Sequence, residues 1–215
     1  MRGGEVAAFS EAYMHKLLLA ALVAGTALAG TARAEFVNTF AYPQPKEGEE
    51  FFTVVEIPQG GMTKYEIDAD NGHVFVDRYM AMPVVYPANY GSITSSLNVD
   101  GDPLDALVFT REPVAPGALI KVRAIGVLKM TDGGEQDDKI IAVPATKIDP
   151  TYKDVKSIND LPEMERARLE AFFRVYKQLP EGSKKVEMGG YADADEAKAS
   201  VAAALQTYRE KNPTQ

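Results

Sequence analysis

Residues 104–143 read LDALVFTREPVAPGALIKVRAIGVLKMTDGGEQDDKIIAV and contain three short runs rich in Val, Ile, Leu and Phe. Clusters that contain Gly and Pro separate the runs, which is typical of β-strands joined by turns. The same pattern extends toward the N-terminus. We therefore predict six strands, over residues 51–57, 64–67, 73–80, 104–110, 118–128 and 139–143. Strands this closely spaced predict a barrel or a sandwich.

Turn and cap patterns add a hairpin and two helices. Asp70-Asn71-Gly72 lies between the second and third predicted strands, and Asn and Gly tolerate the positive φ angles of a type I′ turn. Pro162 marks the start of a first helix, because its missing N–H costs nothing there. Asp193 and Glu196 form a capping-box pattern at the start of a second helix. We therefore expect a mainly β chain with α, in which both helices pack on the barrel.

The composition excludes several kinds of chemistry. The 215 residues include 31 acidic and 23 basic side chains, two His and no Cys. Without cysteine there is no disulfide, no thiolate nucleophile and no Cys-ligated metal centre. A net charge of −8 without a basic block argues against nucleic acids and membrane surfaces as partners. The apolar fraction of 46% is typical of a globular domain.

The first 34 residues have the pattern of a secretory signal. From Met14, a basic His15-Lys16 start precedes an apolar stretch and the small-x-small site Ala32-Arg33-Ala34. The apolar stretch is shorter than the ~20 residues that cross a bilayer. We therefore predict a cleaved signal peptide, an exported and periplasmic protein, and a single domain over residues 35–215. Two glutamates before Met14 suit a basic start poorly, which leads to the hypothesis that translation begins at Met14.

Three carboxylates fall within the six residues Asp100-Gly101-Asp102-Pro103-Leu104-Asp105. Pro103 biases Asp102 toward an extended backbone, so the acids should have fixed directions. A calcium-binding EF-hand is excluded, because its sixth and twelfth positions require Gly and Glu and are Asp105 and Arg111 here. A solvated acidic turn is the plainer alternative.

A second acidic group, Asp132, Asp137 and Asp138, follows in the segment KMTDGGEQDDK. Two carboxylate clusters without a thiol favour a hard cation such as Mg²⁺ or Mn²⁺, which prefers oxygen ligands. Cationic and phenolic side chains gathered around these acids would bind a small polyanion held by metal ions. The candidates are Lys64, with Glu66 on the same strand face, and Arg78, Tyr86, Tyr90, Lys139, Tyr176 and Lys177.

The string DGDPLDA, residues 100–106, resembles the signature of the soluble family I inorganic pyrophosphatases of bacterial type. Seven further segments resemble the same family in the same order: VVEIP (54–58), KYEID (64–68), FVDR (75–78), YPANYG (86–91), GVLKMTD (126–132), DKIIAVP (138–144) and FFRVYK (172–177). The resemblance implies a small closed barrel related to the OB-fold, with flanking C-terminal helices. It also implies hydrolysis of inorganic pyrophosphate, and the bacterial members are usually hexamers.

The resemblance further implies a role for each matching residue. The acids that match metal ligands are Asp100, Asp105, Asp132 and Asp137. Asp102 matches the base toward the attacking water, which also touches metal, and Glu56 and Glu66 match positions in or beside the metal shell. The residues that match phosphate-binding positions are Lys64, Arg78, Tyr90, Lys139, Tyr176 and Lys177. The implied cofactor is Mg²⁺, or Mn²⁺ in its place.

Other functions stay open at this point. The nearest is a phosphatase acting on other phosphoanhydrides or phosphate esters. A non-catalytic, metal-binding OB-like module could use the same acids but would not need the cations. A Ser-His-Asp hydrolase would depend on His73, which directly follows the predicted turn, and the chain has neither a GxSxG elbow nor a Walker A loop. The resembled family is mostly cytoplasmic, so the cytoplasm is the alternative location.

Overall fold

A computed structural model of the chain describes residues 38–46, 48–68, 71–181 and 185–213. The predicted signal peptide over residues 1–34 and the hypothesis of a start at Met14 lie outside these ranges. Within them, no helix combines the length and the apolar composition that crossing a bilayer requires.

The described residues contain nine β-strands in two sheets. The strands are β1 (Glu50–Ile57), β2 (Thr63–Ile67), β3 (Val74–Tyr79), β4 (Asn89–Ile93), β5 (Asp105–Val108), β6 (Leu119–Asp132), β7 (Glu135–Gln136), β8 (Lys139–Pro144) and β9 (Val186–Ala192).

Five of these strands close into a barrel. The order around the barrel is β1, β4, β5, β8 and β6, and β6 pairs back with β1. The strands β5 and β8 run parallel, and the other four pairs are antiparallel. The strands β7 and β9 also pair with β6, whereas β2 and β3 form a separate two-stranded sheet.

Two α-helices pack on the barrel, α1 (Glu163–Val175) and α2 (Ala194–Lys211). The apolar face of α1 is buried in one core cluster with the barrel strands, and that of α2 in a second. Burying each large side chain contributes about 1.5–3 kcal/mol. This architecture confirms the predicted fold class, a mainly β chain with a small closed barrel and two C-terminal helices. The buried helix residues are Leu169, Phe172 and Phe173 on α1, and Ala197, Val201 and Ala204 on α2.

The predicted capping box at α2 forms only in half. The Asp193 carboxylate accepts hydrogen bonds from the backbone N–H groups of Asp195 and Glu196, at 3.1 and 3.0 Å. The Glu196 side chain forms an ion pair with Lys129 of β6 instead of closing the box. The first turn of α2 is therefore tied to the barrel.

The sequence patterns miss three strands. The strand β4 reads NYGSI, and Asn, Gly and Ser are more typical of turns than of strands. Its Gly91 lies so close to β1 that an added Cβ would be 2.0 Å from the Val54 carbonyl oxygen. The strand β9 contains two glycines, and β7 has only two residues. Close backbone approach explains Gly91 of β4 and Gly189 of β9, whereas Gly190 has a φ of +83° beside a register shift between β6 and β9.

The hairpin between β2 and β3 is confirmed, but its connection is longer than the predicted type I′ turn. Asp68 N–H donates to the His73 carbonyl oxygen at 2.9 Å, and Gly72 N–H donates to the Asp68 backbone carbonyl oxygen at 2.8 Å. Four residues therefore separate the closing pair Asp68 and His73, whereas a type I′ turn has two. Asp68 also accepts from the Asn71 side chain at 2.8 Å, which stabilises the longer loop.

Candidate active site

Two adjoining cavities of about 480 and 400 Å³ form one cleft. Both are lined by Lys64, Tyr90, Asp100, Asp102, Asp105 and Asp137. The first is also lined by Glu56 and Glu66, and the second by Arg78, Asp132, Lys139, Tyr176 and Lys177. The structure thus places every site residue implied by the sequence along the same cleft.

The first acidic group lies on a tight loop that leads into β5, whose first residue is Asp105. The Asp100 side chain accepts a hydrogen bond from Asp102 N–H at 3.0 Å, and Asn98 N–H donates to the Asp102 carbonyl oxygen at 2.8 Å. Gly101 has a φ of +93°, which a residue with a Cβ rarely adopts. These contacts fix the direction of the loop, as the position of Pro103 predicts, while the Asp102 side chain stays exposed in the cleft.

Lys139 joins the two acidic groups. Its ammonium lies 2.5 Å from Asp105 and 2.5 Å from Asp137, and only 4% of its side chain is exposed. Burial alone would lower the pKa of Lys139, but the two carboxylates outweigh burial and raise it well above its usual range. Burial also raises the pKa of Asp137, and Lys139 opposes that rise. The lysine is therefore a fixed positive charge between two acids.

The donor set of the cleft suits a hard divalent cation. Asp132, at the end of β6, forms an ion pair with Lys177, and its second oxygen, Oδ1, is buried without a hydrogen-bond partner. In the described ranges no three acidic or imidazole side chains converge into a ready-made ion site, and lysines lie between the acids. The acids thus share the cleft as separate carboxylates, all offering the oxygen donors that Mg²⁺ prefers.

Glu56 is the buried acid of the cleft. It lies on β1, and Ser92 on the neighbouring β4 donates its hydroxyl hydrogen to the carboxylate at 2.5 Å. Burial raises the pKa of Glu56 to about 7, although the Ser92 hydrogen bond lowers it. On β2, Glu66 forms an ion pair with Lys64. Glu56 can therefore exist as acid or carboxylate near neutral pH.

The phenols of the cleft remain neutral hydrogen-bond donors. Burial raises the pKa of Tyr90 well above its usual range, and burial likewise raises that of Tyr176. Lys139 lies 5.8 Å from the Tyr90 ring centroid, and Lys177 lies 5.1 Å from that of Tyr176. Each aromatic ring thus packs beside a lysine of the cleft.

The hairpin of β2 and β3 supplies two cations. Lys64 and Arg78 are cross-strand register partners, and Asp77 lies between them. The Asp77 carboxylate is 2.8 Å from Arg78 and 3.8 Å from Lys64, which offsets the repulsion of two like charges. The Arg78 side chain is 62% exposed, so it is free to meet an anion at the mouth of the cleft.

Sequence reasoning missed several lining residues, and one of them, Ser92, has an evident role. Ser92 bonds Glu56, but its position could be assigned only if β4 had been recognised as a strand next to β1. Asn38, Phe40 and Asn98 also line the first cavity, and nothing in their local sequence indicates this.

Comparison with known proteins gives a consistent result. The family model for inorganic pyrophosphatase matches residues 53–209. The chain is 45% identical over 161 residues to the inorganic pyrophosphatase of Vibrio parahaemolyticus, covering 74% of this chain and 89% of that protein. It is 44% identical over 167 residues to that of Aquifex pyrophilus, covering 78% and 94%. The crystal structure of inorganic pyrophosphatase from Thermus thermophilus matches with a TM-score of 0.75 and 36% identity, covering 80% of this chain and 99% of that one.

The range of residues matched by the family model includes the residues of the cleft. All cleft residues implied by the sequence, from Glu56 to Lys177, fall inside the matched range of 53–209. The barrel, the two acidic groups and the cations therefore belong to one conserved domain type rather than to unrelated segments. The chain belongs to the inorganic pyrophosphatase family, whose enzymes hydrolyse inorganic pyrophosphate.

Proposed function

We propose that this chain hydrolyses inorganic pyrophosphate to two orthophosphates with a water molecule activated by divalent metal ions. One observation carries the proposal: aspartates from two distant segments and four cationic side chains line the same cleft. Phosphoryl transfer mainly requires a positioned nucleophile and neutralisation of charge on the phosphate oxygens. A cleft with both kinds of charge can supply these, and membership in the family favours the same reaction.

The aspartates would hold the metal ions. The ligands we propose are Asp100, Asp102, Asp105, Asp132 and Asp137, with Glu56 and Glu66 in or beside the metal shell. The free Oδ1 of Asp132 supports this assignment, because a buried carboxylate oxygen without a partner is unfavourable unless a cation satisfies it. When bound, Mg²⁺, or Mn²⁺ in its place, lowers the pKa of a water ligand and neutralises phosphate charge.

Asp102 would accept the proton from the attacking water. Its side chain is exposed in both cavities, so a water molecule can reach the carboxylate. Its backbone is held by Asp100 and Asn98, so the acid keeps its direction as it takes up the proton. A positioned base of this kind contributes about 10²–10⁴-fold to a rate.

The cations would bind the two phosphate groups. Lys64, Lys139 and Lys177 are each paired with a carboxylate of the cleft, so each is already directed toward it. Substrate binding would exchange these pairs for lysine–phosphate pairs and release the carboxylates to the cation. Arg78 would meet the outer phosphate oxygens, and the neutral phenols of Tyr90 and Tyr176 would donate hydrogen bonds to them.

We also propose that the chain assembles into a homohexamer, as the family resemblance implies. Support comes from β3, whose six residues are all exposed in the single chain. Its apolar side chains include Val74, Phe75, Val76 and Tyr79, and contiguous exposed apolar surface often marks a protein interface.

The export of the protein is a further proposal that rests on the leader pattern of residues 14–34. After removal of the signal, we expect a periplasmic protein without stable membrane association. Cell fractionation with an antibody tests this expectation. Recovery of the full-length chain from the cytoplasm would contradict it in favour of the usual location of the family.

The direct test of the function is phosphate release by the purified protein from pyrophosphate, ATP and a phosphate monoester, with Mg²⁺ and with EDTA. We expect release from pyrophosphate to exceed release from the other two, to stop with EDTA, and to return with excess Mg²⁺. Equal release from ATP or the monoester would indicate a broader phosphatase. Mg²⁺ binding without any release would indicate a non-catalytic module.

A further inference from the structure

We propose that Asp138 is a positioning residue whose carboxylate, held by Lys129, sets the direction of Asp137 and Lys139. The proposal rests on the proposed function, because it treats Asp137 as a metal ligand and Lys139 as a phosphate-binding cation. Asp138 also lines the first cavity, but Met130, Lys129 and Gln136 already donate to its two carboxylate oxygens, so we assign it no contact with metal or substrate.

The edge of β6 next to the cleft has a gap in its pairing. Leu128 is paired with Lys139 of β8, and Thr131 is paired with Gln136 of β7. Between these pairs, Lys129 and Met130 have no register partners on this edge. Segment 137–138, which spans the gap, connects two strands without belonging to either. Its conformation therefore depends on other contacts.

The Asp138 carboxylate fills this gap. Its Oδ1 accepts a hydrogen bond from Met130 N–H at 3.1 Å, and its Oδ2 accepts from the side chains of Lys129 and Gln136 at 2.9 and 2.8 Å. Asp137 N–H donates to the Met130 carbonyl oxygen at 2.9 Å. Segment 137–138 thus bonds both backbone polar groups of Met130. The Asp138 carboxylate accepts from the N–H group in place of a strand carbonyl oxygen, and the Asp137 N–H donates to the carbonyl oxygen.

Lys129 anchors this carboxylate to the rest of the fold. It also pairs with Glu196 in the first turn of α2. The stem of Lys129 packs closely against β9, since a Cβ at Gly189 would lie 2.9 Å from the Lys129 Cβ. The Asp138 side chain is 13% exposed and that of Lys129 is 29% exposed, so solvent screens their ion pair only partly. The side chains of Lys129 and Asp138, which close the gap, therefore have little conformational freedom.

The neighbours of Asp138 are the residues that matter for the cleft. Asp137 precedes it and Lys139 follows it, and those two side chains form the buried ion pair of the site. A shift in the backbone of Asp138 would displace both in one movement. Contacts that orient a metal ligand from behind are typically worth about 10–100-fold in metal affinity or activity.

The test compares Asp138→Ala, Asp138→Asn and Lys129→Met with the wild type by calorimetric titration of Mg²⁺ without substrate. Hydrogen exchange of residues 129–139 and phosphate release from pyrophosphate are measured in parallel. We expect Asp138→Ala to weaken Mg²⁺ affinity about 10–100-fold and to speed exchange at Met130. Asp138→Asn should do less, because its amide oxygen still accepts from Met130 N–H. The double variant Asp138→Asn/Lys129→Met should lose less Mg²⁺ binding free energy than the two single variants lose in sum.

Val201→Ala is the matched control for a purely structural effect, because it leaves a cavity in the second core cluster. We expect it to lower stability without changing Mg²⁺ affinity. Asp138→Ala affinity within twofold of the wild type would overturn the proposal, as would an equal loss in Val201→Ala. If Asp138→Ala does not fold, unchanged affinity in both Asp138→Asn and Lys129→Met would overturn it.

The two proposals fail in different ways. A wild-type protein that binds Mg²⁺ and shows the expected order of variants, but releases no phosphate, would overturn the proposed function and support the positioning of Asp137. A wild-type protein that binds no Mg²⁺ would overturn both. Normal phosphate release together with unchanged Mg²⁺ affinity in every Asp138 variant would overturn the positioning proposal alone.

Discussion

Asp105 and Lys139 form an ion pair of 2.5 Å from the first residues of two adjacent, parallel strands, β5 and β8. The register pairs Ala106 with Ile140, so the two charged residues lie at the same end of the ladder. Parallel pairing requires a long crossover between the strands, which β6 and its loop provide here. The fold thereby brings the first acidic group next to the second.

Replacing Lys139 separates metal binding from turnover. In Lys139→Met the two acids Asp105 and Asp137 lose the cation that lies between them, so like charges face each other. We expect the Mg²⁺ affinity of the substrate-free protein to rise. We expect turnover to fall by about 10²-fold, because the preorganised positive charge that contacts the phosphate is lost. Calorimetry and phosphate release measure the two effects. Lys147→Met, at an exposed position, is the control, and a Lys139→Met variant with wild-type turnover would remove Lys139 from substrate binding.

The raised pKa of Glu56 predicts a pH-dependent stability. The carboxyl group ionises near pH 4.5 when unfolded and near pH 7 when folded, so the native state binds the extra proton between these values. The free energy of unfolding contributed by this group therefore falls as pH rises through that window. The free energy of unfolding of Glu56→Gln, relative to that of the wild type, should therefore rise by about 2 kcal/mol from pH 5 to pH 8. Urea unfolding of both proteins with EDTA at the two pH values measures this, and a constant difference would contradict it.

Gly91→Ala tests the close approach of β4 and β1. An added Cβ would lie 2.0 Å from the Val54 carbonyl oxygen, so two barrel strands would have to separate. We expect the free energy of unfolding to fall by about 3 kcal/mol or more. Gly134→Ala is the control: its φ is +88° but its Cβ meets nothing within 4 Å, so only backbone strain of about 1 kcal/mol is expected. An equal decrease in the free energy of unfolding of the two variants would argue against tight packing at Gly91.

The exposed face of β3 predicts where subunits meet. Phe75 is 51% exposed in the single chain, and a charge at this position would be buried in an interface. We expect Phe75→Glu to lower the native mass from that of a hexamer to a smaller assembly, measured by light scattering after gel filtration. Lys185→Glu, at an exposed side chain outside β3, should leave the mass unchanged. A wild-type monomer, or an unchanged mass in Phe75→Glu, would contradict this.

Most of the β-structure could be predicted from local sequence, because six of the nine described strands, four of them in the barrel, are rich in β-branched and aromatic residues. The strands β4 and β9 could not, because their glycines resemble turn residues until the neighbouring strand is known. The hairpin loop between Asp68 and His73 has four residues, not the two that the Asn-Gly signal indicated, and the Asp68 side chain and backbone both bond within it.

The acids of the cleft were recognisable because Asp100, Asp102 and Asp105 lie in one short segment. Their partners were harder to predict, since the contact of Lys139 with Asp105 depends on the parallel pairing of β5 and β8. The hydrogen bond of Ser92 to Glu56 likewise depends on strand neighbours. Local motifs therefore identify the reactive residues, whereas the contacts that adjust their charge follow only from tertiary structure.

The central claim is that a carboxylate in this cleft takes the proton of a metal-activated water. The most direct measurement is the rate of phosphate release from saturating pyrophosphate and Mg²⁺ by Asp102→Asn, beside Asp154→Asn at an exposed acid that lines neither cavity. We expect Asp102→Asn to fold and to lose about 10²-fold or more in turnover, and Asp154→Asn to match the wild type. Turnover of Asp102→Asn close to that of the wild type would contradict the account.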